Sequence, residues 1–391
     1  MVADWYKSAG YHFLVPSEHN ILQEGNRWAD ANHSRLKGKT WETVLTKYRK
    51  RFGPDWVREK NTNGKQSVRI MPLSEYAPLF NEPGRFLLIP GEEITPIGSG
   101  VPGYMGAEGD LPQVDINVTN VMDVIPPQGG IDVGEVVRKN IDLVREQRER
   151  TGRSMLAHIP HPNYRYALTA EVFASVQSDP VFFEVYNGGG VLNYGDEHHV
   201  STERMWDIAL TLRLSSQVNG MLYGIAVDDT HHYHQLHGAS PGRGWIMARA
   251  AYLTPESIVR AMERGDFYAS TGVRLDDIQV ENSSLRLKID PEAGTTFLTQ
   301  FIGTREGYDP RNEPRMDSEG NPIRTTRRYS AQVGAILAET DALERNYVFK
   351  GDELYVRANV TSSKLKENPH AEGDYECAWT QPVKPPRPDS R

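Results

Sequence analysis

Side chains that bind metal ions recur along this chain, and their types point to one kind of chemistry. Eight of the twelve histidines fall between His158 and His237, and aspartates and glutamates lie among them. The single cysteine, Cys377, excludes a thiolate cluster for zinc and an intramolecular disulfide framework. Imidazoles and carboxylates gathered without cysteine are typical of hydrolytic sites that hold Zn²⁺, Mn²⁺ or Fe. The sequence therefore predicts a divalent-metal site.

The candidate ligands come in or directly after successive apolar runs. The principal metal-ligand candidates are His19, Glu93, Asp115, His161, Asp229 and His231, and the additional candidates are Glu18, His158, Asn187, His199 and His234. A single histidine at such a place is more often a hydrogen-bonded loop residue than a ligand. For His199 a surface loop is an equally good interpretation. The recurrence of the pattern after several runs is what favours a shared site.

The apolar runs have the length of strands, and amphipathic patterns lie between several of them. Strands are predicted at 11–16, 85–90, 115–118, 154–159, 181–186 and 221–227, and helices at 133–150, 169–176, 201–214 and from 254 onwards. Continuous apolar runs indicate strands that are buried on both faces, as in a parallel sheet. Strands that alternate with helices predict either a parallel barrel or a doubly wound sheet. In a barrel the ligand candidates would meet at the carboxyl ends of the strands.

Two segments depart from this alternation. Residues 21–84 are polar and rich in Trp, Arg and Lys, which predicts an insertion into a large domain that spans 1–274. Beyond residue 275 apolar and polar residues alternate, which is typical of antiparallel strands with one face in water. We therefore predict a small all-β domain over 275–381, with a long loop at 305–328, and a Pro-rich tail over 382–391.

Composition excludes several classes of partner. The formal net charge of −8 argues against broad contact with nucleic acid, whose phosphate backbone needs a basic surface. No apolar run approaches the ~20 residues of a membrane-spanning helix. A globular protein of 391 residues with a small-molecule substrate is the expectation. The sequence does not indicate an oligomeric state.

Several short motifs, taken in order, resemble those of the PHP (polymerase and histidinol phosphatase) superfamily. These motifs are Glu18-His19, Gly91-Glu92-Glu93-Ile94-Thr95, His161-Pro162-Asn163, Glu184-Val185-Tyr186-Asn187-Gly188 and Asp229-Thr230-His231, with further matching stretches at 201–207, 242–245 and 265–272. Each motif is individually weak, whereas their order and spacing are specific. The resemblance covers residues 1 to about 275.

This resemblance implies an α/β fold, namely a distorted (β/α)₇ PHP-type barrel, N-terminally truncated and joined to a C-terminal antiparallel β domain. It also implies a centre of two or three metal ions (Zn, Mn or Fe), with His19 as a ligand, Glu93 as a bridge between two metals, and His161, Asp229 and His231 completing the site. Arg243 would hold a phosphate oxygen, and Asp228 would be catalytic. The implied function is a metal-dependent phosphoesterase, in which metal-bound hydroxide attacks a small phosphorylated substrate.

The sequence departs from the family pattern at three places. PHP proteins open with a His-x-His strand and a Ser-Asp-Gly segment, whereas the first residues here resemble the helix that follows those ligands. Glu18 stands where the family usually has Asp, and Asp115 stands where a histidine ligand is expected. These departures favour an alternative function, a catalytically impaired PHP scaffold that binds a ligand or a protein partner. Enzymatic activity is the expectation if the N-terminal ligands are restored.

Two further interpretations concern the surroundings of the protein. The motifs also resemble a bacterial subgroup of PHP-type phosphoesterases with an appended β domain. Relatives in that subgroup often begin with an export signal, so an exported, periplasmic or extracellular location is expected if such a segment precedes the sequence. A surface-associated hydrolase with a carbohydrate-binding β domain is a third functional interpretation, in which Tyr375 and Trp379 stack on sugars. Burial in the core of the β domain is the simpler role for these two rings.

Overall fold

This computed structural model describes residues 2–30, 41–96, 113–178, 180–189, 193–216, 220–231, 238–281 and 283–386. Its α-helices are Val2–Ser8 (α1), Trp41–Phe52 (α2), Leu73–Phe80 (α3), Val133–Thr151 (α4), Ala170–Ser175 (α5), Thr202–Ser215 (α6) and Pro255–Glu263 (α7). Its first thirteen strands are Phe13–Leu14 (β1), Ser17–His19 (β2), Arg27–Asp30 (β3), Glu59–Thr62 (β4), Lys65–Ile70 (β5), Leu87–Leu88 (β6), Gly91–Ile94 (β7), Ile116–Thr119 (β8), Leu156–His158 (β9), Val181–Asn187 (β10), Leu222–Val227 (β11), Trp245–Ala248 (β12) and Phe267–Ser270 (β13). The later strands are Leu275–Glu281 (β14), Ser284–Ile289 (β15), Phe297–Arg305 (β16), Asn312–Glu313 (β17), Arg328–Tyr329 (β18), Ala335–Thr340 (β19), Glu344–Val348 (β20), Glu353–Leu365 (β21) and Tyr375–Thr380 (β22).

Local signals in the sequence place the main helices. The carboxylate of Asp132 accepts a hydrogen bond from the Glu135 N–H at the start of α4, and Gly152 ends that helix in the left-handed conformation. The Ser201 hydroxyl caps α6 in the same way. Thr254 caps α7, whose first residue is a proline. These helices therefore begin and end close to their predicted positions.

The predicted (β/α)₇ barrel is wrong. Strands β1 and β6, β2 and β7, and β10 and β11 pair in parallel, but β8 runs antiparallel to both β7 and β9. Parallel neighbours require a crossover connection, whereas β7 and β8 are consecutive in the chain and pair directly as antiparallel strands. Across the described ranges the strands form open sheets, the largest of them antiparallel, and no closed barrel.

Two strands that were not predicted, both within the predicted large domain, join a different sheet. Strands β12 and β13 lie at one side of a six-stranded antiparallel sheet in the order β12-β13-β22-β21-β16-β19. Ser270 in β13 pairs with Ala378 in β22, so the sheet crosses the predicted domain boundary near residue 275. The predicted loop at 305–328 includes β17, which pairs with β18 at the end of that loop.

The predicted insertion at 21–84 forms a small α/β layer beside the N-terminal helix. Strands β3, β5 and β4 make an antiparallel sheet, with α2 and α3 next to it in the chain. A cluster that includes Tyr6, Phe80 and Phe86 joins α1 to α3 and to the start of β6. This layer therefore packs against α1 and β6 and is not separate from the large domain.

The largest apolar core lies between helices α4 to α6 and strands β8 to β11. Trp206 of α6 is fully buried there and donates its indole N–H to the Leu222 carbonyl at 2.7 Å. This hydrogen bond joins α6 to the first residue of β11. Among the described residues, no helix combines the length and apolar character that a membrane span requires.

Candidate metal centre

Three predicted ligands meet at one edge of the four-stranded sheet β2-β7-β8-β9. Glu93 lies near the end of β7, His161 follows β9, and Asp115 directly precedes β8. Because β8 runs against its two neighbours, it begins at the edge where they end. Ile116 accordingly pairs with Ile94 at that edge. The reversal that breaks the barrel therefore brings Asp115 to the other ligands.

The distances between these three residues suit a shared cation. The Nε2 atom of His161 lies 3.2 Å from Glu93 Oε1 and 3.5 Å from Asp115 Oδ2. One ligand atom from each residue lies within 4.8 Å of the other two. On the far side of Glu93, His19 Nδ1 is 3.3 Å from Oε2 and 2.6 Å from the Thr95 hydroxyl. Three other predicted ligands thus lie around the Glu93 carboxylate.

The electrostatics of this cluster also fit a bound cation. Asp115 is 1% exposed, and its Oδ1 atom has no hydrogen-bond partner. Burial and the neighbouring charge of Glu93 raise the pKa of Asp115 to about 6. Burial alone would lower the pKa of His161, but its hydrogen bond to Glu93 and the charges of Glu184, Glu93 and Asp115 raise it to about 9. The positive charge of a bound divalent ion would offset the negative charge of the buried carboxylates.

A second group of side chains is linked to the first through Glu184. Its Oε1 atom lies 3.2 Å from His158 Nε2, and its Oε2 accepts the His161 N–H at 2.6 Å. The same Oε2 accepts a hydrogen bond from Asn187 Nδ2, which also lies 3.3 Å from Asp229 Oδ2. Our predicted set omitted Glu184. The available signal was a lone carboxylate within a strand whose other six residues are uncharged and buried.

A cavity adjoins the Glu93–Asp115–His161 cluster. Asp229 and His231 lie on its wall but outside that cluster. Glu93, His158, Glu184, Asp229 and His231 all line this cavity. The side chains of Asp229 and His231 are 29% and 51% exposed, and Asp229 Oδ1 is 3.9 Å from His231 Nδ1. Their predicted role as metal ligands stays a prediction.

Asp228 and Arg243 point into the protein and hold the loops of the site. The Asp228 carboxylate accepts hydrogen bonds from the Tyr6 hydroxyl and from the backbone N–H groups of Gly242, Arg243 and Gly244. Burial nevertheless raises the pKa of Asp228. Arg243, 5% exposed, donates from Nη1 to the Gly188 carbonyl at 2.7 Å. These contacts position the loop 242–244 against the residues after β10.

The remaining predicted residues are spread more widely. Glu18 is exposed, and its Oε1 accepts a hydrogen bond from Gln23 at 3.1 Å. His199 Nδ1 lies 2.7 Å from Asp196 Oδ1, and its ring stacks on Tyr166, in a separate loop cluster. His234 lies outside the described residues.

Three residues of the site have a backbone conformation that is uncommon for residues other than glycine. The φ angles of Asn20, His161 and Asp229 are +56°, +27° and +45°. Such conformations cost roughly 1–3 kcal/mol each and persist where the surroundings fix them. For Asn20 these surroundings are two hydrogen bonds between its side-chain amide and the Thr95 backbone, at 2.7 Å each. Three of the seven described non-glycine residues with positive φ therefore lie at or beside predicted ligands.

Comparison with known proteins does not name a family. No protein-family model matches the chain, and no curated protein matches it significantly. The resemblance to the PHP superfamily consequently stays a prediction, and the geometry of the site is the basis for a functional proposal.

Proposed function

We propose that this protein is a metal-dependent hydrolase that acts on a phosphate ester. The observation that supports the proposal is the buried Glu93–Asp115–His161 cluster, in which the His161 Nε2 atom lies within 3.5 Å of both carboxylates. Zn, Mn or Fe ions suit this mixture of ligands. The PHP-like order of the motifs supports the same reaction class.

In this proposal Glu93, Asp115 and His161 hold the metal, and His19 extends the site on the other side of Glu93. A bound divalent ion would lower the pKa of a water molecule and offset the negative charge of the phosphate oxygens. Hydrolysis breaks the P–O bond to the alcohol; water supplies the oxygen that ends on phosphorus and the proton that ends on the alcohol.

The protein's own residues then keep the ligands in place. Glu184 fixes the His161 backbone and contacts His158, while Asn187 joins Glu184 to Asp229. Such partners of metal ligands orient the ligands, and their removal typically costs 10–100-fold in affinity or activity. His158 lies on the cavity wall, with its Nε2 atom 3.2 Å from Glu184 Oε1.

One observation favours the second candidate, a ligand-binding scaffold that is catalytically impaired. Among the described residues, Glu93, Asp115 and His161 are the one group of three or more such side chains close enough to share an ion. The outlying Asp229 and His231 would then contact a ligand without completing a second metal site.

Metal content and turnover test both functions. We expect the purified protein to bind Mn²⁺ or Zn²⁺ stoichiometrically. Asp115→Ala or His161→Ala should weaken binding in titration calorimetry by at least the roughly 10–100-fold that loss of a ligand's partner typically costs. His198→Ala, in a loop outside the cluster, is the matched control. Hydrolysis of simple phosphate esters should require the metal and stop with EDTA.

The outcomes separate the candidates. Metal binding without hydrolysis of any ester would favour the scaffold. Binding that survives both the Asp115 and the His161 substitutions, or hydrolysis that is insensitive to EDTA, would show that this cluster is not the metal centre of a hydrolase.

A further inference from the structure

A cavity of about 1430 Å³ adjoins the candidate metal centre. Glu93, His158, Glu184 and Asp229 form its polar end. The volume exceeds what an inorganic phosphate group fills, so most of the cavity is available to the alcohol part of an ester. The lining of the remaining wall therefore bears on which ester the site accepts.

Aromatic rings from two parts of the chain form much of that remaining wall. The first ring cluster consists of Trp5, Tyr6, Tyr11 and Trp245, and the second ring cluster, from the insertion, consists of Tyr48, Trp56, Tyr76 and Phe80. In the first ring cluster the Tyr6 and Tyr11 centroids are 4.9 Å apart, and those of Tyr11 and Trp245 are 5.9 Å apart. Both pairs meet edge to face, which is a favourable arrangement.

The first ring cluster is fixed relative to the polar end of the cavity. The Tyr6 hydroxyl donates to Asp228 Oδ2 at 2.7 Å, and Asp228 directly precedes Asp229. Trp5 also lies against Gly242, where a Cβ atom would come within 3.1 Å of the indole ring. These contacts therefore hold the first ring cluster beside Asp228 and Gly242, next to the polar end of the cavity.

The charges on the cavity wall argue against a second anionic group on the alcohol. Among the described lining residues, the lysine and arginine side chains are Arg69 and Arg274 alone. Arg69 makes a bidentate pair with Glu75, and Arg274 lies 3.3 Å from Asp290. An alcohol with further phosphate or carboxylate groups would consequently find its cationic partners already engaged.

We infer that the substrate is a phosphate monoester of a large, apolar, aromatic alcohol, and that Tyr11 and Trp245 contact its ring. This inference rests on the proposed phosphoesterase function. Burial of an aromatic group against these rings removes apolar surface from water and adds ring–ring contacts. A small polar alcohol would leave the same surface hydrated.

The test compares 2-(1-naphthyl)ethyl phosphate with ethyl phosphate, using the full chain loaded with Mn²⁺ or Zn²⁺. Both esters release a primary alcohol of similar acidity, so their intrinsic reactivity is nearly equal. We expect kcat/KM to be at least about tenfold higher for the naphthyl ester. Tyr11→Leu and Trp245→Leu should each reduce this preference, mainly through KM. Tyr375→Leu, on an exposed ring outside the cavity, should leave it unchanged.

A separate measurement distinguishes failure of this inference from failure of the proposed function. Equal kcat/KM for the two esters would overturn the aromatic substrate class and leave the phosphoesterase intact. If neither ester is hydrolysed, the proposed phosphoesterase function is wrong. Calorimetric titration with 2-(1-naphthyl)ethanol then tests whether the ring-lined part of the cavity binds an aromatic alcohol. Binding that weakens in Tyr11→Leu supports this aromatic binding site, and the absence of binding to the wild-type protein overturns it.

Discussion

At the scale of single residues, Asp115 has the least favourable surroundings in the candidate metal centre. Its carboxylate is buried beside Glu93, and one of its oxygens accepts no hydrogen bond. Burial therefore disfavours the charged form relative to an exposed aspartate, and the pKa rises from 3.8 to about 6. The free-energy cost of burying this ionised carboxylate is typical of residues retained for binding rather than for stability.

We predict that Asp115→Asn stabilises the metal-free protein and weakens metal binding. The folded-state pKa lies above the unfolded value, so the wild-type protein loses stability as the pH rises from about 4 to above 6. In EDTA at pH 8 the variant should gain roughly 2–3 kcal/mol in unfolding free energy, and at pH 3.5 the gain should vanish. Chemical denaturation at the two pH values measures this difference.

The same pair of proteins should reverse their order when metal is added. Saturating Mn²⁺ or Zn²⁺ should stabilise the wild-type protein more than Asp115→Asn, because the ion binds the folded state of the wild type more tightly. A gain in EDTA that is equal at pH 3.5 and pH 8 would contradict the assignment to carboxylate charge.

At the scale of elements, α6 depends on a buried arginine that binds four backbone carbonyls. Arg213 is 1% exposed and donates to the carbonyls of Phe173, Val176, Ser178 and Gly220. These carbonyls belong to the end of α5 and to the loops before β10 and β11. One guanidinium group thus holds together the elements that support the site.

We predict that Arg213→Met destabilises the protein by about 3 kcal/mol or more, because it leaves buried carbonyls without donors. Arg138→Met, at an exposed position of α4 with one ion pair at 3.9 Å, is the matched control and should change stability by less than about 0.5 kcal/mol. Equal midpoints for the two variants in urea denaturation would show that Arg213 does not anchor α6.

At the scale of the whole molecule, a buried ion pair joins α6 to the six-stranded antiparallel sheet. Arg357 of β21 donates from Nε and Nη2 to the two carboxylate oxygens of Asp207, at 2.9 and 2.8 Å. The Tyr355 hydroxyl donates to the same carboxylate, and the Arg357 guanidinium lies 4.7 Å from the centre of the Trp206 ring. The sheet is therefore coupled to the helix that supports the site.

We predict that Arg357→Ala lowers the unfolding free energy by about 3–5 kcal/mol, since it leaves the Asp207 charge buried and unpaired. Asp207→Asn should cost less in the Arg357→Ala background than in the wild type, and a double-mutant cycle measures that coupling. Arg286→Ala, which removes an exposed ion pair with Glu344, is the control. Additive effects of the two substitutions would refute the coupling.

The sequence by itself determined the local elements and the chemical character of the site. Apolar runs, caps and periodicity depend on neighbouring residues, and for this reason strands such as β10 and helices such as α4 lie close to their predicted positions. The chemical types of the candidate ligands also follow from the sequence, because imidazole and carboxylate groups can bind metals wherever they lie in the chain.

Only the tertiary structure decided the direction of β8, the course of β12 and β13 into the large antiparallel sheet, and which ligands meet. A buried strand has the same apolar composition whether its neighbours run parallel or antiparallel. The pattern therefore favoured parallel strands, in a barrel or a doubly wound sheet, and the resemblance to the PHP superfamily implied the barrel. Asp115 meets Glu93 and His161 because β8 begins where β7 and β9 end. Pairing direction depends on contacts between distant segments, and this is why it could not be predicted from the local sequence.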